Sequence, residues 1–120
     1  MRWHYKNWLT SVSVWALVLF LLMAGSAHAQ RQAKRGPARG NPNWGGSTAL
    51  RQTALEAGYD EGIKAGRSDR SHGERFNFAD ESVYKDATKG YNAQLGDKAL
   101  YQRYFRAGFE NGYRDGWNGY

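Results

Sequence analysis

The sequence predicts an all-α protein: a small bundle of about three helices, two of them glycine-lined and closely packed, behind a signal peptide and a disordered basic arm. Three observations predict it. In three stretches after residue 47, apolar residues recur at every fourth position. Glycines recur at the same interval in two stretches fifty positions apart. The first thirty residues carry an export pattern and little else.

Residues 1–29 open with Arg2 and Lys6 and no acid, continue through an unbroken apolar run from Val14 to Ala24, and end on Ala27-His28-Ala29. A basic start, a short apolar core and small residues at the cleavage site make a secretory signal peptide, with cleavage expected between Ala29 and Gln30. A permanent anchor is the other reading. The run is shorter than the roughly 20 apolar residues a spanning helix needs. No cysteine follows it, which excludes a lipid-modified N-terminus. The whole chain lacks cysteine, so disulfides, thiol catalysis and thiolate metal sites are excluded too.

After cleavage 91 residues remain, with 15 basic and 11 acidic side chains and a net charge of +4. That is enough for one small domain with a thin core. The excess charge lies in residues 30–46, QRQAKRGPARGNPNWGG, which hold four basic residues, no acid and one large apolar residue, Trp44. This composition predicts a disordered linker. It is either a solvated spacer or a weak grip on a polyanion such as anionic lipid, lipopolysaccharide or nucleic acid.

A first helix is predicted over residues 48–68. Leu55, Tyr59 and Ile63 form one row, and Leu50, Ala54, Gly58, Gly62 and Gly66 form the row beside it. Ser47 is its expected N-cap, and Asp60 and Lys64 an expected ion pair. Residues 69–79 lack a helical period and read as a loop whose Phe76 and Phe78 dip back toward the core. Asp80 is the expected N-cap of a second helix over 81–95, on the row Val83, Ala87, Tyr91 and Leu95. Gly96 suits its C-cap, and Asp97 suits the N-cap of a third helix over 98–118. That helix carries Tyr101, Phe105, Phe109, Tyr113 and Trp117 beside Leu100, Tyr104, Gly108, Gly112 and Gly116. A strand also has an even period, but neither face of residues 109–117 would then be apolar throughout, so helix is preferred.

Residues 50–67 align with 100–117, matching three glycines, the apolar row and the charge pair. Six helical glycines cost about 6 kcal/mol relative to alanine, so close packing must offset them. The rows Gly58, Gly62, Gly66 and Gly108, Gly112, Gly116, with Phe105, Phe109, Tyr113 and Trp117, are the expected packing surface, for a helix pair within the chain, self-association or a protein partner. Asp60, Glu61, Lys64, Arg67, Glu110, Arg114 and Asp115 interrupt both repeats, which argues against membrane-spanning helices. AGYDEGIKAG and AGFENGYRDG resemble the glycine–aromatic repeats of small exported bacterial proteins of uncharacterised function. The resemblance covers residues 50–118 and implies no active site.

Chemistry is sparse. His72, with Asp69 and Glu74 nearby, lacks a second histidine or a ligand spacing, so no metal site is expected. No motif frames a nucleophile, and no phosphate loop or cofactor motif is present, so neither an enzyme nor a cofactor is expected. Arg103, Arg106 and Arg114 alternate with Tyr101, Tyr104 and Trp117. Such mixtures can stack on single-stranded nucleic acid, but the helical spacing favours aromatics in the core and arginines in water. The expectation is an exported, non-enzymatic structural or interaction module, with polyanion binding by the arm as the alternative.

Overall fold

A computed structural model describes residues 36–40 and 43–120. Ala27, Ala29 and Gln30, with the rest of the signal segment, lie outside the described residues. These contain three helices and no strand: α1 (Thr48–Ser71), α2 (Ser82–Asp86) and α3 (Lys98–Trp117). Single 3-10 turns stand at Phe78–Asp80 and Ala93–Leu95.

Both long helices begin where their caps require. The Ser47 hydroxyl accepts from the Leu50 amide at 3.0 Å, and the Asp97 carboxylate accepts from the Leu100 amide at 2.7 Å. The α1 helix runs three residues past its expected end and is closed by His72, whose Nδ1 lies 2.8 Å from the Ser68 carbonyl.

The two long helices are parallel. Gly58 faces the Phe105 carbonyl, Gly62 that of Phe109 and Gly66 that of Tyr113, so residue numbers rise together along the contact. Parallel neighbours need a connection that returns along the full length of the pair. Residues 72–97 make it, with one short helix and two 3-10 turns.

The expected helix over 81–95 is therefore corrected. Its first turn forms as α2 and stops at Ala87, which adopts a left-handed φ of 51°. Asp80 is not a cap; it ends the preceding 3-10 turn, and Glu81 stands at the start of α2. Beyond Ala87, Thr88, Gly90 and Asn92 favour turns over helix. The row Val83, Ala87, Tyr91 and Leu95 nevertheless packs on the core. Its apolar side chains are used as predicted; its backbone is not helical throughout.

Around α3 the covering elements divide by helical position. Tyr101, Phe105, Phe109 and Tyr113 point toward the return segment, where Phe78, Tyr84 and Tyr91 meet them. Tyr104, Asn111 and Asp115 lie on the opposite flank of the glycine row, and the N-terminal segment meets them. The described part of the expected arm is thus not detached. Trp44 lies 5.0 Å from the Tyr104 ring, its amide donates to the Tyr104 hydroxyl at 2.7 Å, and the Arg103 guanidinium sits 4.1 Å above its ring. Composition argues for disorder here, but one indole with an aromatic platform and a cation to sandwich it suffices to dock the chain.

Candidate functional site: the paired glycine rows and their polar flanks

All six predicted glycines are buried at the contact between α1 and α3. A Cβ built on Gly58, Gly62 or Gly66 would stand 2.0, 2.2 or 2.2 Å from the carbonyl oxygens of Phe105, Phe109 and Tyr113. One built on Gly108, Gly112 or Gly116 would stand 2.2, 2.0 or 2.3 Å from those of Leu55, Tyr59 and Ile63. The relation is reciprocal. Each glycine meets the carbonyl three residues before its repeat counterpart in the other helix. The sequence repeat of fifty is therefore the register of a local two-fold axis running along the pair.

No residue but glycine allows this approach. At each position the Cα hydrogen that replaces Cβ points at a backbone oxygen. Six such Cα–H···O contacts contribute roughly 3 to 6 kcal/mol together, which nearly offsets the helical cost of the glycines. The rows face each other within one chain, so in this fold they are covered rather than offered to a second molecule.

The predicted aromatic partners follow. Phe105, Phe109 and Tyr113 are fully buried, and Trp117 is half-buried. From Tyr101 to Trp117 successive rings lie 6.2–6.4 Å apart as a ladder along α3. Phe76, though exposed, sets its ring edge-on to Tyr113 and Trp117 at 5.0 and 5.6 Å.

The sequence does not mark the polar groups of the two flanks as a set. On one flank, Tyr113 donates to the buried Asp69 carboxylate at 2.5 Å and accepts from the Asn77 amide at 3.3 Å. Loss of solvent and this bond to a carboxylate push the Tyr113 hydroxyl up to about 12, so it remains a donor. Glu81 stands nearby, its carboxyl raised above the usual range by loss of solvent and then by the charges of Asp69 and Glu74. These carboxylates, with Asp80 and Phe76, line an open cleft of about 760 Å³. Further along, Tyr84 donates to Glu110 at 2.8 Å, and Arg106 donates to the carbonyls of Tyr84 and Lys85.

On the other flank, Asp115 is 3% exposed and accepts from the Tyr59 hydroxyl at 2.9 Å and from Arg39 at 3.2 Å. Asn111, 7% exposed, donates through Nδ2 to the carbonyls of Pro37 and Arg39 at 3.2 and 2.9 Å. A signal for this flank was in the sequence. Tyr104, Asn111 and Asp115 are spaced seven and four apart, one stripe beside the glycine row.

The expected pair of Asp60 with Lys64 is replaced. Lys64 and Lys89 both reach Glu61, at 2.8 and 2.7 Å, and hold its carboxyl below the usual range. Lys89 belongs to the return segment, so Glu61 gains a second cation that residues 60–64 alone cannot reveal. Glu110, expected to pair with Arg114, is taken by Tyr84. Of the three residues weighed as metal ligands, His72 closes α1 and Asp69 is bound to Tyr113. Among the described residues no group of three or more histidines and carboxylates stands ready to hold a metal ion. Nor is any described helix long and apolar enough to cross a membrane.

Comparison of the chain with family models, with curated proteins and with solved structures returns no match. The site's own geometry defines it: a parallel helix pair locked by glycine, with a chain segment strapped to each flank.

Proposed function

We propose that this protein is exported through its N-terminal signal and serves outside the cytoplasm as a non-enzymatic structural or protein-interaction module. One observation carries the reading. The buried polar side chains Asp69, Asn111 and Asp115 each bind a neighbouring segment or helix of the same chain. Asp69 and Tyr59 tie α1 to α3, and Asn111 and Asp115 hold the N-terminal segment to α3. What the module offers a partner is its outer surface and those segments.

The test has two arms. N-terminal sequencing of the exported protein should find Gln30 first; a retained Met1 would replace export with anchoring. Photo-crosslinking from exposed positions on α1, such as Gln52 and Lys64, should give one recurrent adduct in the compartment where the protein resides. Adducts that vary at random from site to site would remove the interaction reading.

The alternative, polyanion binding by the basic segment, is favoured by its four basic residues and lack of acid. Arg39 is paired with Asp115, which lowers the segment's basic residues from four to at most three for this purpose. Three contacts predict only a shallow loss of binding to nucleic acid with salt, a log–log slope of about −2 to −3.

A further inference from the structure

The notch between α1 and α3 at Tyr59, Asn111 and Asp115 is occupied by residues 36–40 of the same chain. We propose that it is a recognition site for an arginine-bearing turn of a polypeptide, that residues 36–40 are its ligand in cis, and that a partner chain presenting the same chemistry takes their place. The proposal rests on the interaction-module reading and names its surface.

The notch divides its work as a peptide-binding site does. Asn111 spends its amide hydrogens on two main-chain carbonyls, those of Pro37 and Arg39, and so reads backbone rather than side chain. Asp115 reads one side chain. Its carboxylate is buried, and Tyr59 supplies a neutral hydrogen bond to one oxygen while Arg39 supplies the cation at the other. A carboxylate withdrawn from water demands a cation, and a guanidinium meets it better than an ammonium because its planar fork is less strongly hydrated. Specificity therefore falls on a single arginine within a turn. The turn is set by Pro37 at its second position and closed by the Arg39 amide on the Gly36 carbonyl at 3.4 Å.

The cis ligand can leave without taking the fold with it. Among the described residues, the apolar core and the side chains packed on it begin at Trp44 and do not include residues 36–40. The Arg39 side chain is 25% exposed and the Asp115 side chain beneath it 4%, so a competitor reaches the carboxylate as Arg39 withdraws. A partner is a better occupant than a second copy. Another copy offers the same turn, which must compete with a cis segment at an effective concentration of order millimolar and gains nothing over it.

The probe is a fluorescent heptapeptide of residues 35–41, Arg-Gly-Pro-Ala-Arg-Gly-Asn, titrated by anisotropy into the full mature chain. Arg39→Ala in the protein weakens the cis ligand, so this variant should bind the peptide at least about tenfold more tightly than the wild type does. Adding Asp115→Asn should abolish binding, and a peptide with Arg39→Lys should bind more weakly than the arginine form. Circular dichroism and melts confirm that each variant is folded; if Asp115→Asn is not, Asn111→Ala replaces it and should weaken binding at least about fivefold. Equal binding to wild type and Arg39→Ala, retained binding by a peptide with Arg39→Ala, or no binding at millimolar peptide to a folded variant overturns the proposal. A dimer of the wild-type chain that Arg39→Ala abolishes would assign the notch to a second copy and overturn the partner reading. None of these outcomes bears on the crosslinking test of the module as a whole.

Discussion

At the scale of single residues, the glycines at the helix contact make the sharpest predictions. In an exposed helix, Gly→Ala stabilises by about 1 kcal/mol. At Gly62 and Gly112 the new methyl would stand 2.2 and 2.0 Å from a backbone oxygen, and a backbone cannot swing aside as a side chain can. Gly62→Ala and Gly112→Ala should each lose a net 1 to 3 kcal/mol, roughly, with the leucine variants worse. Because the rows face each other within one chain, thermal melts of these variants should shift equally at all protein concentrations. Raised melting temperatures would refute the packing account. Gly45 is a contrast: nothing lies within 4 Å of its Cβ position, but its φ is 94°. Gly45→Ala should cost about 1 kcal/mol through backbone strain alone.

Titrating residues add a second set at this scale. The Glu81 carboxyl is raised by loss of solvent and by Asp69 and Glu74. Such a group contributes its stability in full below the ordinary value of 4.5, and loses it as pH rises through the folded value. Urea midpoints of Glu81→Gln should therefore exceed those of the wild type increasingly from pH 4.5 to 7, and parallel curves would sink the idea. Tyr113 acts likewise at the alkaline end. Raised from 10 to about 12, it lends stability that is complete below pH 10 and is lost as pH rises toward 12. Tyr113→Phe strips a buried carboxylate of its donor and should cost about 1 to 3 kcal/mol at neutral pH.

At the scale of elements, the two flanking segments are short of regular structure and held by aromatic rings. Trp44 is the point where the N-terminal segment docks. Trp44→Ala should lower stability by about 1 to 2 kcal/mol, less than a fully buried tryptophan because the indole is half-exposed. Loss of the Arg103 contact should accompany it, visible as a red shift of tryptophan emission in the milder variant Arg103→Ala. An unchanged melting temperature in Trp44→Ala would mean that the segment merely rests on α3. The return segment shows the same economy: a five-residue helix, two 3-10 turns, and hydrogen bonds such as Tyr101 to the Lys89 carbonyl at 2.6 Å.

At the scale of the whole molecule, the parallel course of α1 and α3 governs everything else. Both C-terminal ends lie together, with Arg67 and Arg70 of α1 donating to the carbonyls of Tyr120 and Trp117. The native chain lacks cysteine, so spin labels can be placed cleanly. Labels at Ser71 and Asn118 should report a short distance, about 20 Å or less. Labels at Thr48 and Asn118 should be separated by the length of α3, about 30 Å at 1.5 Å per residue. The reverse ordering would make the pair antiparallel and break the reciprocal glycine contacts.

The sequence by itself determined the helical class, both long helices with their caps, and the glycine and aromatic rows at their contact. These are local properties: a four-residue interval, a serine or aspartate at a boundary, a side chain too small to hold two backbones apart. The tertiary structure alone decided the direction of the pair. A row of glycines looks the same to a parallel and an antiparallel neighbour, and only the carbonyls met by Gly58 and Gly108 distinguish them. It also decided the path of residues 72–97, because a returning chain must span a length that its own turn residues will not cover as helix. The docking of Trp44 and the notch around Asp115 were settled there too. Composition reports how much apolar surface a segment owns. It is silent on whether a neighbour sixty positions away holds out a tyrosine ring to receive it.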